Sequence, residues 1–454
     1  MARTLSLLGL LLAGLIAGVL ALAGHDTKIV FATFIVLATV TLFATNSPPP
    51  HITSVMLLAI LVIVPWIGPE VAFAGFSTSA FWLVFGGLVM GSAIVKTGLG
   101  ARLAGKMVGL LPDHYFKLVS LIVLMGLALG FLVPSAMARV VILLPVVALI
   151  AERLDFADER AVTGLQLAAI LGTTLPAFTI LTGNLPTILV FGAAERLYGF
   201  TPSYLSYLLA QFVPIAIGQT VLIILVAYGL FSSAYGKRPV SSEATAMSPI
   251  EKRVAIVIVT ALLLWMADRW HGIAPGWVAL LAAALLLLPA FEIFARDDFK
   301  RAIEHEALMY TAGIIALVAL VAQSGLSGVL ATLAEPWLAS GQLSAFGFYI
   351  NMALASIGIG VVATHPTVAA TLVPLAELST AAAGLPLEAA LLAMTGPFAV
   401  VFLPYQVAPI AVGLAIARAS LAQCTLMLVA VAVPTMLILL PLHYLWLNLL
   451  GWLG

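Results

Sequence analysis

Pro134-Ser135-Ala136-Met137-Ala138-Arg139 interrupts two apolar runs, 116–133 and 137–151, and Ala363-Thr364-His365-Pro366-Thr367 interrupts two more, 344–362 and 367–382. Each run is short for a membrane crossing, which takes about 20 mostly apolar residues. Each pair therefore reads as a re-entrant hairpin that enters and leaves on one side, with a polar tip at membrane depth. Lipid cannot satisfy free amides and carbonyls, so such a tip is tolerated only where protein buries it or a water-filled cavity reaches it.

The chain around the tips is apolar from end to end. Hydrophobic residues make up 63% of the 454 positions and charged residues 8%, against about 25% charged in an ordinary soluble domain. Spans are expected near 4–23, 28–45, 52–68, 79–96, 161–195, 205–231, 252–267, 274–290, 306–323, 387–416 and 421–449, eleven in all. The first run follows Met1-Ala2-Arg3 in the manner of a signal peptide, but it lacks a convincing cleavage site and reads as the first membrane helix. The expected fold is an all-α polytopic membrane protein of about eleven transmembrane helices plus two re-entrant hairpins. The lone Cys424 excludes a disulfide framework and a cysteine metal site. A net charge of zero gives no reason to expect nucleic acid as a partner.

Charge tests the span count, because cytoplasmic loops carry the lysines and arginines. With the N-terminus inside, Arg3, Lys96, Arg102, Lys106, Lys117, Arg153, Arg160, Lys237, Arg238, Lys252, Arg253, Arg296, Lys300, Arg301 and Arg418 fall on the cytoplasmic side. Only Lys28, Arg196 and Arg269 fall outside, and Arg139 belongs to neither side. The short loops suit a bacterial inner membrane.

The chain also resembles itself. Phe85-Gly86-Gly87 leading to Lys96-Thr97-Gly98-Leu99 matches Ala312-Gly313-Ile314 leading to Gln323-Ser324-Gly325-Leu326 at an offset of 227. Ser135 with Leu143-Leu144-Pro145-Val146 matches Thr364 with Leu372-Val373-Pro374-Leu375 at an offset of 229. An odd number of crossings separates the mates, so the halves are inverted, an architecture of secondary transporters. The expected division is a first repeat over 1–234, a cytoplasmic linker over 235–252 and a second repeat over 253–454.

Two further breaks join the tips. Leu181-Thr182-Gly183-Asn184-Leu185-Pro186-Thr187 interrupts the fifth span and Leu403-Pro404-Tyr405-Gln406-Val407-Ala408-Pro409 the tenth. Helices starting after the tips, at Ala138 or Val140 and at Thr367 or Val368, would aim free amides at an anion. Carbonyls freed at the breaks could hold a cation.

Arg139 is the strongest single signal, since a charge in an apolar segment usually faces a solute path or a partner. The alternatives are a snorkelling arginine or a structural ion pair. His365 could bond a substrate, carry a proton, or be a satisfied buried histidine. Ser135, Thr364 and Thr367 could donate to anion oxygens, or bond back to their own helices. Asn184, Thr182, Thr187 and Gln406 gain weight from the breaks. Glu70, Glu195 and Asp268, near outer span ends, read as solvated.

Nothing supports an enzyme: the sequence has no phosphate loop, no paired-histidine metal motif and no serine elbow. The glycines of Gly75-Phe76-Ser77 and Gly86-Gly87 read as close helix packing.

The residues resemble the divalent anion/sodium symporter family, carriers of di- and tricarboxylates or sulfate. Ala74-Gly75-Phe76-Ser77-Thr78-Ser79-Ala80-Phe81-Trp82-Leu83 with Lys96-Thr97-Gly98-Leu99-Gly100-Ala101-Arg102 is similar to its fourth-helix segment. Pro134-Ser135-Ala136-Met137-Ala138-Arg139 through Leu144-Pro145 resembles its Ser-Asn-Thr hairpin tip, and Thr364-His365-Pro366 takes the matching place in the second repeat. The resemblance implies a homodimer joined through a scaffold, an elevator-like movement of the hairpin domain, and tips that bind substrate carboxylate and help build two sodium sites.

Here Ala136 and His365 stand where the family has asparagine, Met137 and Pro366 where it has threonine, and Gly183-Asn184-Leu185-Pro186-Thr187 replaces a Gly-Thr-Pro-Pro-Asn type of sequence. An arginine just after the tip resembles the family's exchanger branch. Sodium symport, anion exchange and proton-linked transport all stay open.

The function expected is secondary active transport of small dianions, dicarboxylates first and sulfate second, with an anion channel on the same scaffold as the rival. Ser135, Arg139, Asn184, Thr187, Thr364, His365, Thr367 and Gln406 are the candidate substrate residues. Ser135, Thr182 and Thr364 are the candidate sodium ligands, and no other cofactor is expected.

Overall fold

A backbone in lipid must satisfy its own hydrogen bonds, and helices do so within one segment. The computed structural model describes residues 2–100, 102, 112–237, 246–295, 298, 303–330, 332 and 344–453. Lys106, Arg238, Arg296, Lys300 and Arg301 of the charge count, and residues 238–245 of the expected linker, lie outside them.

The first half runs through spans Ala2–Leu22, Thr27–Thr45, Pro50–Ile63 and Ser79–Thr97, then hairpin one, Tyr115–Leu132 with Ala136–Arg153. The second half runs through Pro249–Met266, Pro275–Leu287 and His305–Gln323, then hairpin two, Ala345–Ala363 with a return arm from Thr367. Nine described helices have the length and apolarity to cross a bilayer, and the remaining spans are shorter apolar helices or, in Pro249–Met266, carry charge in the first turn.

Several expectations need correcting. The first arms of the hairpins are 18 and 19 residues long, enough to cross by length alone. Hairpin one returns as one helix through Pro145, whereas the matching Pro374 lies in a 3-10 turn, Val373–Leu375, that splits hairpin two's return arm. The fold is all-α as expected apart from one short strand pair, Leu154–Phe156 with Tyr235–Lys237, antiparallel with Asp155 opposite Gly236.

The breaks begin earlier than the polar residues suggest. The fifth span is Arg160–Thr174, a 3-10 turn Pro176–Thr179, a tight turn closed by Gly183 N on Ile180 O at 2.8 Å, and Leu185–Tyr198. The tenth is Leu387–Thr395, a 3-10 turn Gly396–Ala399, a second turn Pro404–Gln406, and Ala408–Ala417. Pro176 and Pro397 stand in the first turns, where their missing N–H ends the α-helical ladder. The sixth and eleventh spans, Tyr204–Phe231 and Leu421–Leu449, each contain a π-helical segment, Phe212–Ile217 and Thr435–Leu439.

The repeats interlock by exchanging partners. Ser79–Thr97 packs along Pro275–Leu287, while its repeat mate His305–Gln323 packs along Pro50–Ile63. Both contacts turn on the glycines matched at the 227-residue offset. A Cβ on Gly86 would lie 2.5 Å from the Ala279 carbonyl oxygen, and one on Gly313 would lie 2.3 Å from Ser54 Oγ. Gly75 likewise faces the Ala312 backbone, at 2.8 Å. Gly75 and Gly86 are packing surfaces, as expected, and Gly313 is one too.

Charged contacts cross between the halves where Ser79–Thr97 ends. Lys96 pairs with Asp298, and Arg102 Nε donates to Glu251 Oε1 at 2.5 Å. Ser248 N donates to the other oxygen, Glu251 Oε2, at 2.7 Å, so this carboxylate answers both Arg102 and its own helix start. Glu195 and Asp268 are not simply solvated. Glu195 accepts from Ser79 N and Oγ, and the buried Asp268 accepts from Ser203 Oγ and Tyr204 N, each capping the start of another helix.

Gly86→Ala is expected to destabilise the protein by about 1–3 kcal/mol, because the colliding atom is backbone. Gly229→Ala, with nothing within 4 Å of the new methyl, serves as the neutral comparison. The thermal unfolding midpoint in detergent distinguishes the two.

Candidate functional site

A broken span in lipid leaves carbonyls without their usual partners, and each has to be answered locally. In the fifth span the answers come from named side chains. Arg139 Nε donates to Thr173 O at 3.1 Å and Nη2 to Gly183 O at 2.9 Å, one on either side of the break. Its Nη1 donates to Val133 O at 2.7 Å, at the end of hairpin one's first arm. Asn184 Nδ2 donates to Thr174 O at 3.3 Å, and Tyr207 OH to Phe178 O at 2.9 Å.

Arg139 is therefore neither snorkelling nor ion-paired. It is fully buried, and among the described residues no carboxylate lies within 4 Å of its guanidinium. Ser135 caps the helix that carries it, accepting from Ala138 N at 3.2 Å, so this helix begins at Ala136, ahead of the expected start at Ala138 or Val140. Tip one is seated on the fourth span, where Gly91 would bring a Cβ to 3.1 Å from Ser135 Cβ.

The tenth-span break is answered by neutral amides instead. Gln219 Nε2 donates to Ala399 O at 3.0 Å, and Gln211 Nε2 to Thr395 Oγ1 at 3.1 Å. Gln406 folds back, its Oε1 accepting from Phe402 N and Leu403 N at 2.8 Å each, while its buried Nε2 has no partner.

Tip two is held differently again. Thr364 has φ 73° and ψ 155°, a conformation otherwise left to glycine that costs about 1–3 kcal/mol. Thr367 bonds back to Ala363 O at 2.7 Å, and the Tyr310 phenol of the ninth span reaches both threonines. His365 is fully buried with neither ring nitrogen hydrogen-bonded. Its ring lies 5.8 Å from Phe178 and 5.3 Å from Phe398, between the 3-10 turns of the two broken spans. Gly360 makes room for it, since a Cβ there would sit 2.6 Å from His365 Cδ2.

The fifth-span break thus joins both tips, meeting Arg139 through Gly183 O and His365 through Phe178. Thr187 is buried beside Phe178 O, at 3.4 Å, and Thr182 is buried with a hydroxyl lacking any partner by hydrogen-bond geometry. A cavity of about 120 Å³ lies to one side, lined by Ser203, Ser206, Tyr207, Glu388 and Trp452 among others, and touches no tip residue. Phe178, Phe398, Tyr207 and Tyr310 were not among the expected site residues. The paired signal for two of them was present in Pro176-Ala177-Phe178 and Pro397-Phe398-Ala399. Among the described residues no group of histidine, cysteine and acidic side chains forms a metal cluster.

Arg139→Gln leaves at least one of three buried carbonyls unanswered, at about 1–3 kcal/mol for each. It is expected to lower the unfolding midpoint, with Arg139→Lys intermediate. Thr364→Gly, by contrast, is expected to raise the midpoint, through about 1 kcal/mol of released strain.

Residues 3–453 match the model of a family described as the sodium:sulfate symporter transmembrane region. An L-tartrate/succinate antiporter of Shigella sonnei (strain Ss046) is 28% identical over 241 residues, 50% of this chain and 49% of that protein. The inner membrane protein YbhI of Escherichia coli (strain K12) is 26% identical over 261 residues, 55% of this chain and 54% of that one. The chain spans about half the length of the curated relatives it matches. In fold it is similar to the Alcanivorax borkumensis YdaH transporter, with a TM-score of 0.59 at 14% identity, covering 90% of this chain and 100% of that one. The chain belongs to the family described as the sodium:sulfate symporter transmembrane region.

Proposed function

We propose that this member of the sodium:sulfate symporter family exchanges small dicarboxylates across a bacterial inner membrane without drawing on a sodium gradient. The observation that carries this reading is the buried Arg139 guanidinium, which takes up carbonyls on both sides of the fifth-span break and has no carboxylate beside it.

In transporters of this architecture, unwound backbone carbonyls coordinate the coupling cation. Here Val133 O, Thr173 O and Gly183 O already face a cation that is covalently part of the chain. Thr182, Ser135 and Thr364 remain as oxygen ligands for a sodium ion, but the charge a sodium ion would bring is already in place.

A fixed charge also changes the transport cycle. Sodium leaves with its substrate and the empty site becomes neutral, whereas Arg139 stays. A buried, uncompensated charge is costly, so the carrier crosses readily only when a bound dianion compensates it, the anion's second charge being met by the helix start after Ser135 and the neighbouring hydrogen-bond donors. That condition couples efflux of one anion to uptake of another.

The anion would lie between the tips and the breaks. Arg139 and the helix start after Ser135 supply positive potential. Asn184, Thr187, Thr364, Thr367 and Gln406 Nε2 supply hydrogen bonds, and His365 a ring donor. Movement would be elevator-like, in a homodimer with a cytoplasmic N-terminus, as the family resemblance suggests. The name of the Shigella relative, a tartrate/succinate antiporter, favours four-carbon dicarboxylates over sulfate.

Purified protein in liposomes preloaded with succinate is expected to take up labelled succinate saturably, and equally in sodium, potassium or choline buffer. Empty liposomes should take up little. Uptake into empty liposomes that requires a sodium gradient would overturn the exchange reading, and current without saturation would make the protein a channel.

A further inference from the structure

Within the exchange site proposed above, His365 has an unusual form of support. Neither ring nitrogen meets hydrogen-bond geometry, and the nearest polar neighbour is the Val400 backbone of the tenth-span break, so no well-formed hydrogen bond fixes the imidazole. Its orientation comes from the Phe178 and Phe398 rings, which also lie 5.9 Å from each other, and from the space left by Gly360. Phe178 belongs to the 3-10 turn of the fifth span and Phe398 to that of the tenth. Where His365 points is therefore set by how the two broken spans stand relative to each other.

One side chain bridges them. Tyr207, on the sixth span, is almost fully buried, its ring T-shaped on Phe191 at 5.2 Å and 81°. Its hydroxyl donates to Phe178 O at 2.9 Å, the peptide oxygen of the residue whose ring meets His365. The same hydroxyl lies close to Thr187, in the first turn after the fifth-span break, and to Thr395, the last helical residue before the tenth-span break, without a well-formed hydrogen bond to either. The Phe178 ring whose peptide it holds meets Phe398 of the tenth span. Thr395 is fixed in turn, donating to Leu391 O at 2.9 Å and accepting from Gln211 Nε2 at 3.1 Å.

We infer that Tyr207 is a positioning residue of the anion site: its hydroxyl fixes the fifth-span break against the tenth, and so fixes the aromatic seat that orients His365. It touches no substrate itself. This inference rests on the exchange reading, since His365 matters here as a contact to the anion.

The test is Tyr207→Phe, which keeps the ring and removes the oxygen, assayed by dicarboxylate exchange in liposomes. The half-saturating dicarboxylate concentration should rise about fivefold, the effect of one lost hydrogen bond, with the maximal rate little changed. In a His365→Gln background the same change should add nothing, because the two residues act through one contact. Tyr115→Phe removes a like phenol-to-carbonyl bond, to Ala161 O at 2.8 Å between hairpin one and the fifth span. It should lower thermal stability and leave half-saturation alone.

If Tyr207→Phe fails to assemble, Thr395→Val removes the other end of the bridge and carries the same expectation. Unchanged half-saturation in the variant, or an equal rise in both His365 backgrounds, overturns the inference while wild-type exchange leaves the functional reading intact. A wild type that exchanges no dicarboxylate overturns both.

Discussion

Everything in the first half's polar centre depends on one guanidinium answering three carbonyls. Arginine is suited to this because its planar fork presents several donors in fixed directions and stays charged. Val133 closes the first arm of hairpin one, Thr173 lies in the last turn of the first part of the fifth span, and Gly183 precedes its resumption. A single side chain thereby converts three loose chain ends into one rigid junction.

The second half solves the same problem without a charge, and the result is less regular. Gln211 and Gln219 reach in from the sixth span to hold the tenth, and tip two is a strained threonine followed by a histidine held in an aromatic seat. Strain of this kind persists only where the surroundings over-determine it. The two halves are thus alike in path and unlike in chemistry: one tip is bolted through a cation, the other is packed.

Much of the path was legible in the sequence. Prolines and polar residues inside apolar runs marked both tips and both broken spans, and the 227-residue offset picked out Gly86 and Gly313 before their crossed packing was visible. The partners of Arg139 were not legible, because they are backbone oxygens and every residue has one. Tyr207, Tyr310, Phe178 and Phe398 were hidden for a related reason, since an aromatic residue in an apolar run reads as ordinary packing. Asp268 and Glu195 misled because a carboxylate near a span end looks solvated until the helix start it caps is known.

The π-helical segment Phe212–Ile217 has a bearing on how this sequence can vary. Tyr207, Gln211, Ile215 and Gln219 recur every four residues and are all buried, yet four residues of α-helix overshoot a full turn by about 40°. Two such steps in a regular helix would swing Gln219 about 80° from the direction Gln211 takes. The wider turn absorbs that drift, so both amides reach the same broken span. The sixth span therefore measures out its polar contacts by residue count. A single-residue insertion or deletion there would re-aim everything beyond it, although its apolar surface toward lipid would look unaltered.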